Sequence, residues 1–180
     1  ALYQTGNFGN GNISAWTASL NANYTFGQWK KPLTLGLKTE IISGDKNRND
    51  GELNTFNPLF PRGAYFGLAA LIGPSNLVDV HPSVKIDVTK SLTLALDYDL
   101  FWRHTISDGI YGPNGALIYS GENTTSRFIG DQLGFNAEYS FSRHLTITPK
   151  FTWFNAGPYL KEVGTGEDVF FTAVTLQFKY

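Results

Sequence analysis

The chain has neither cysteine nor methionine among its 180 residues, and its charges nearly cancel. Without cysteine, disulfides and thiolate-bound metal ions are excluded. A net charge of −1 argues against nucleic acid as a partner, because phosphate binding needs a basic face. The lack of a starting methionine and of a signal peptide predicts a processed protein or a piece excised from a longer one.

Long hydrophobic runs are also missing. The longest, residues 64–73, contains Gly67 and falls well short of the roughly twenty residues that a membrane-spanning helix needs. The mean hydropathy is only −0.18. A low average with strong local alternation is typical of a transmembrane β-barrel, in which half of the residues face a polar interior. At this length, the sequence predicts one domain over residues 1–180.

The sequence does contain a strong period of two. Residues 77–88 alternate between apolar and polar side chains, and the alternation restarts at Leu92 after a short turn at 89–91. Phe101 is the one apolar exception on the polar row of the second segment. Successive side chains of a strand point to opposite faces, so this period predicts a hairpin with one apolar and one polar face. Strands of about ten residues with charges on one side match membrane-spanning strands, apolar outward and polar inward.

The same alternation recurs along the chain. It is weak at 1–8 and clear at 13–26, 33–42, 128–141, 145–154 and 169–180. Short turns near 27–32, 89–91 and 142–144 separate long loops near 44–76, 105–127 and 155–168, as in outer-membrane barrels with short periplasmic turns and long extracellular loops. The sequence therefore predicts an all-β fold: an antiparallel, up-and-down transmembrane β-barrel with about eight strands in this chain.

A soluble β-sandwich or a lipocalin-like barrel is the alternative fold, and it would place the apolar row inside. Two observations favour the membrane. Aromatic residues of the apolar rows gather near strand ends, as in interfacial girdles. A charge on a lipid-facing row would cost about 2–4 kcal/mol at the midplane, and none occurs in the middle of these rows.

Several segments resemble the alginate-export family of outer-membrane channels. They are Ile42–Asp45 leading into Gly51, Phe56–Gly67, Val80–Ser83, Asp97–Arg103 followed by Asp108–Gly112, Arg143–Leu145 and Phe154–Pro158. Phe56–Gly67 is the most specific of them, because strand alternation alone matches any barrel. The resemblance implies a larger barrel with an open lumen, of which this chain is the C-terminal portion. It also implies a channel in the bacterial outer membrane that passes a polysaccharide or a related solute out of the periplasm.

The polar row supplies the candidate lumen residues, and their charges are mixed. They are Lys38, Lys85, Asp97, Asp99, Arg103, Glu138 and Lys150. The alginate exporter after which the family is named has a basic pore that attracts an anionic polymer. The mixed charges of this polar row depart from that pattern. The charges either select a solute or pair across strands to neutralise the interior. Arg103 is the strongest functional candidate, because it ends its strand within a segment that resembles the family.

The segment 56–67 supplies three candidate mouth residues, Phe60, Arg62 and Tyr65. Its prolines restrict the backbone, and its aromatic side chains are unusually hydrophobic for an exposed loop. It either folds into the mouth as a constriction or packs on its neighbours and caps the barrel; the sequence slightly favours the cap.

Asp45, Asn47, Asn49 and Asp50 resemble the start of a calcium-binding loop, because hard cations need oxygen ligands at alternate positions. The sixth position holds Asp50 where glycine is required, and no bidentate glutamate follows at the right distance. A solvated hairpin loop is therefore favoured over a metal site, and no cofactor is expected.

An enzyme is not expected either. Asp79, His81 and Ser83 share one row and superficially look like a catalytic triad, but successive members of the row are about 7 Å apart along the strand, too far for a direct hydrogen-bond relay. A closed structural or adhesion barrel of eight strands would need larger inward side chains to fill it. The small inward residues favour a wider pore, completed by missing strands of the same protein or by other chains.

The sequence thus predicts an outer-membrane channel for passive passage of a polysaccharide or another polar solute. Its expected partners are outer-membrane lipid and either a polar solute or an anionic polysaccharide. A general small-solute porin and a closed structural or adhesion barrel are the alternatives.

Overall fold

The computed structural model describes residues 1–27, 31–60 and 62–180. Almost all regular structure is strand, as the alternation predicted. The elements are β1 (Leu2–Phe8), β2 (Gly11–Phe26), β3 (Leu33–Ile42), β4 (Glu52–Leu53), β5 (Leu77–Asp87), β6 (Leu92–Arg103), β7 (Ile110–Tyr111), β8 (Leu117–Tyr119), β9 (Phe128–Ser140), β10 (Leu145–Ala156), α1 (Pro158–Val163) and β11 (Val169–Phe178).

Eight of these strands form one meandering antiparallel sheet in the order β1-β2-β3-β5-β6-β9-β10-β11. The two-residue β4 pairs in parallel with β2 beside this path, and β7 and β8 form a separate small hairpin. β1 pairs with Gly11–Thr17 of β2, a stretch that runs beyond the end of β3. The predicted strands are therefore confirmed, whereas closure of the sheet into a barrel stays a prediction.

The connections give the sheet two different ends. The short-turn end carries the connections 88–91 and 141–144, together with the predicted turn 27–32, of which residues 28–30 lie outside the described residues. The long-loop end carries residues 43–76, 104–127 and 157–168. Within the described ranges, no helix is long and apolar enough to cross a membrane.

The apolar row of the sheet is its exposed face. Register places Leu35, Val84, Leu96, Phe135 and Phe151 on one face across five neighbouring strands. Three of them, Leu35, Leu96 and Phe151, are more than two fifths exposed. A soluble barrel would bury this row, so we call it the outer face and the polar row the inner face.

The hydrophobic core lies on the inner face at the long-loop end. There the inner row turns apolar at Ile42, Leu77, Phe101 and Phe154, and the long loops pack on it. The ring of Phe66, from the loop, lies 5.1 Å from that of Phe101, which lies 6.4 Å from that of Phe154. Phe101 thus departs from the polar row because a loop covers it.

Gly130 permits the one irregularity between β6 and β9. The register shifts between Phe101 and Trp102, and Gly130 has a φ of +156°, which favours glycine. A Cβ there would also collide with the carbonyl oxygen of Asn155. The bulge lies beside Phe101 at the rim of the core, where such features redirect side chains.

We expect Phe101→Ala to lower the free energy of unfolding in detergent by about 3–5 kcal/mol, because it opens a cavity between the sheet and the loop. The outer-face variant Leu96→Ala is the matched control and should cost far less, because it leaves no enclosed cavity. Denaturant titration followed by tryptophan fluorescence measures both. Equal losses in the two variants would contradict a core at this place.

Candidate functional site

Charged and polar side chains of the inner face meet just below the core, and we call this group the inner-face cluster. It comprises Lys38, Glu40, Asp79, His81, Asp97, Asp99 and Gln132, contributed by β3, β5, β6 and β9. Alternate residues of neighbouring strands share a face, so the register alone brings these side chains together. The cluster is therefore a direct product of the strand pairing.

His81 is the centre of the contacts within the cluster. Its Nδ1 lies 2.6 Å from Asp99 Oδ1, and its Nε2 lies 3.9 Å from Asp97 Oδ2. Gln132 Nε2 donates to the other oxygen of Asp99 at 3.1 Å. Lys38 Nζ lies 3.4 Å from Glu40 Oε2. Several inner-face charges thus pair with one another, one of the two roles expected from the sequence.

The loop 56–76 lies over this cluster and is bonded to both sides of it. Tyr65 Oη donates to Glu40 Oε1 on β3 at 2.7 Å, and Gln132 Nε2 on β9 donates to the carbonyl of Phe66 at 2.7 Å. Lys38 Nζ lies 4.5 Å from the centroid of the Tyr65 ring. Burial and the bond to Glu40 raise the pKa of Tyr65 well above its usual range, so the phenol stays a donor.

The loop divides the inner face into a covered and an open zone. Glu40, Asp79, Asp99 and Gln132 are buried beneath it, whereas Asp97 and His81 keep about a quarter of their side chains exposed. Gly134 makes room for Asp97, because a Cβ at that position would collide with its carboxylate. Nearer the short-turn end the inner face is polar and partly open.

The structure brings three of the predicted lumen residues together and leaves three apart. Lys38, Asp97 and Asp99 belong to the cluster. Lys85, Glu138 and Lys150 lie on the inner face nearer the short-turn end, opposite Ala95, Thr93 and Asn136. Contact of any of them with a solute stays a prediction.

Arg103, the seventh candidate, is fully buried at the long-loop end. Its guanidinium donates to the backbone carbonyls of Ile106, Asp108 and Ser126, with a longer contact to Thr124, and it stacks 4.2 Å from the centroid of Tyr159. The planar guanidinium has five N–H donors in fixed directions, whereas a lysine ammonium has three at one point, so lysine cannot reach all of these carbonyls. In this structure Arg103 joins the loop 104–127 to α1, and contact with a solute stays a prediction.

The candidate mouth residues separate into two groups. Tyr65 is half-buried against the cluster, as described above. Phe60 is 91% exposed, and Arg62 is also exposed. The loop therefore packs on its neighbours at Phe56 and again at Tyr65 and Phe66, and a role as a constriction stays a prediction.

The residues with calcium-loop spacing bond to their own backbone. Asp45 Oδ1 accepts from the amide of Asn47, Asn47 Oδ1 from that of Asn49, and Asp50 Oδ1 from that of Glu52. These are consecutive side-chain turns of the type that aspartate and asparagine favour in loops. Burial raises the pKa of Asp45.

Asp108 organises the loops above the core, although it was predicted only as the start of a family-like segment and not as a site residue. Its two carboxylate oxygens accept from Thr55, Tyr111 and the amides of Asp45 and Gly109. Arg48 lies 3.6 Å from both Asp108 and Glu122. A cleft of about 870 Å³ opens beside this network, between the loops and β1.

Four members of the cluster were not among the candidates: Glu40, Asp79, His81 and Gln132. Their inward parity was visible in the alternation. The sequence did not reveal the register between β3, β5, β6 and β9, which places these four side chains next to each other. It also did not reveal that the loop 56–76 lies over them.

Comparison with known proteins shows which family this chain matches. The family model described as alginate export matches residues 1–169. Proteins of this family are outer-membrane channels, and the family is one of transport rather than of catalysis. A comparison with curated proteins found no match.

We expect Arg103→Lys to destabilise the loops of the long-loop end by about 2–3 kcal/mol, because a lysine leaves several buried carbonyls without a donor. Hydrogen exchange of residues 104–127 measures the loss, and Arg62→Lys, at an exposed position, is the matched control. Unchanged protection of these residues in Arg103→Lys would contradict the structural role.

Proposed function

The chain belongs to the alginate-export family, and from that premise we propose that it forms an outer-membrane channel, or part of one, for passive passage of a polysaccharide or another polar solute. The observation that carries the proposal is the division of the sheet into an exposed apolar face and a polar inner face. In an outer-membrane barrel, the first contacts lipid and the second lines water.

The inner face also bears on the kind of solute. Its described strands carry the acids Glu40, Asp79, Asp87, Asp97, Asp99 and Glu138 and the cations Lys38, Lys85, Arg103 and Lys150, of which Arg103 is buried among loop carbonyls. A lumen with this excess of carboxylates does not concentrate anions. It supports a polar solute of low charge over a strongly acidic polymer, unless strands outside this chain add basic residues.

The loop 56–76 acts in this proposal as the constriction of the path. It is anchored to the inner face by the bonds of Tyr65 and of the Phe66 carbonyl, and its tip with Phe60 stays exposed. The cleft beside Asp108 and Arg48 has a largely apolar lining and lies at the same end, where these two side chains offer a solute its first hydrogen-bonding groups. Charge and loop position together then set which solutes pass.

We expect Leu96→Arg to lower the stability of the protein in lipid bilayers by about 2–4 kcal/mol, because it places a charge against the acyl chains. Ser83→Arg is the matched control: it lies one register position away on the inner face, beside Asp97, and should insert normally. Folding into vesicles, followed by heat-modifiable gel mobility, measures both. If both variants fold into vesicles equally well, the proposal that the outer face contacts lipid is wrong.

The channel itself is tested by single-channel conductance of the intact protein, purified from outer membranes, in a planar bilayer. Open steps with a weak preference for cations in a salt gradient are expected from the excess of carboxylates. Block by a neutral polysaccharide would identify the class of solute, and block by small sugars alone would indicate a general porin. A folded protein that gives no conductance would contradict the channel.

The loop is tested in the same bilayer with the double variant Tyr65→Phe and Gln132→Leu. Each hydrogen bond is worth about 1 kcal/mol, so removing both should shift the equilibrium toward the open loop by roughly thirty-fold. We expect larger and longer open steps. The control is Tyr139→Phe with Gln177→Leu, which changes the same residue types outside the loop contacts; identical traces for the two double variants would show that the loop does not gate.

A further inference from the structure

We propose that Asp79, His81 and Asp99 form a binding site for one divalent transition-metal cation on the inner face of the sheet. The proposal does not depend on the channel function. One ligand atom from each of the three residues lies within 4.8 Å of the others. Asp79 and His81 come from β5 and Asp99 from β6, so two paired strands hold the site.

A carboxylate without a partner points to the cation. Asp79 is 0% exposed, and within the described part of the chain neither of its oxygens has a hydrogen-bond partner. An uncompensated buried carboxylate is strongly unfavourable. Neighbouring carboxylates add to this unfavourable negative charge, because Glu40 is directly opposite on β3 and Asp99 is buried nearby.

The nearest amine does not compensate for these acids. Lys38 Nζ is engaged by Glu40 at 3.4 Å and lies over the ring of Tyr65. Four carboxylates of the inner-face cluster therefore face one lysine and one histidine. A divalent cation bound between Asp79 and Asp99 supplies the missing positive charge at the point where the carboxylates have no other partner.

The donor set selects the class of cation. Two carboxylate oxygens with one imidazole nitrogen suit Zn²⁺, Co²⁺ or Mn²⁺, whereas Ca²⁺ and Mg²⁺ take oxygen ligands. His81 Nδ1 and Asp99 Oδ1 are 2.6 Å apart. Ligands of a tetrahedral zinc ion are roughly 3.3 Å apart, given bonds near 2.0 Å, so a small side-chain movement admits the ion. Any proton held on Nδ1 is released to water as the ion binds.

Outer contacts hold the ligands in position. Gln132 Nε2 donates to Asp99 Oδ2, which leaves Oδ1 directed at His81. The carboxylate of Asp97 lies 3.9 Å from His81 Nε2, on the side of the ring opposite to the site. At this distance Asp97 makes no hydrogen bond to the ring, but its negative charge favours Nε2 on this side, as outer carboxylates do for metal-binding histidines. The His81 side chain is 24% exposed, so an ion can reach it from the inner face.

The test is metal binding by the intact protein, purified in detergent without a histidine tag and stripped with EDTA. Titration calorimetry with Zn²⁺ should give one ion per chain, and Co²⁺ should produce a visible absorption band of a nitrogen-oxygen site. Asp79→Asn and His81→Gln should each weaken Zn²⁺ binding at least ten-fold. Asp87→Asn and His144→Gln, which change the same residue types outside the site, should bind as the parent does.

Stability provides a second readout that separates the metal from a shared proton. In EDTA, Asp79→Asn should melt at or above the temperature of the parent, because it removes an unpaired buried charge, and Zn²⁺ should raise the melting temperature of the parent but not of this variant. No Zn²⁺ or Co²⁺ binding by the folded parent, or binding that survives both Asp79→Asn and His81→Gln, would overturn the proposal.

Discussion

The contact of Phe66 with Phe101, closed by the bond from Gln132 to the Phe66 carbonyl, holds the long-loop end of this protein together. This contact holds the loop 56–76 on the inner face, and the loop buries the part of that face beneath it. Above the contact the inner row is apolar and forms the core. Below it the row is polar and partly open. The change from Phe101 to Asp99, two residues along one strand, marks the boundary between them.

Four of the six inner-face acids lie at or next to this boundary: Glu40, Asp79, Asp97 and Asp99. A carboxylate in open water needs no partner, whereas one under a loop needs a donor, a cation or a proton. The bonds of Tyr65 to Glu40 and of Gln132 to Asp99 meet part of that need. Asp79 has no such bond. The loop and the acids are therefore coupled, because whatever neutralises the acids also lowers the cost of keeping the loop in place.

The alternation in the sequence was enough to predict the strands, their antiparallel order and the exposed row, because a period of two directly encodes two faces. It did not reveal register between strands distant in the chain, and the inner-face cluster depends on that register. Arg103 was predicted for the lumen from its parity, its place at the end of a strand and the family-like segment that contains it, and its contact with a solute stays a prediction. Parity cannot show that a residue at the end of a strand is covered by loops, and the carbonyls that surround this guanidinium come from segments without periodicity. Phe101 did indicate this burial, since a single apolar residue on a polar row implies that another segment packs over it.

The open zone and the covered zone place different demands on the same strands. Toward the short-turn end, small polar residues such as Ser83 and Asn136 leave the inner face partly open, as the proposed path for a polar solute requires. Under the loop, large and charged side chains fill the space and tie β3, β5, β6 and β9 to one another. Residues that bind a solute weakly and often can be exposed, but a constriction must be held in position, and holding it uses buried polar contacts that are expensive to leave unpaired. The position of the acids follows from this: they lie under the loop, in the part of the inner face where the proposed path is narrowest, and neutralising their buried charge lowers the cost of keeping the loop in place.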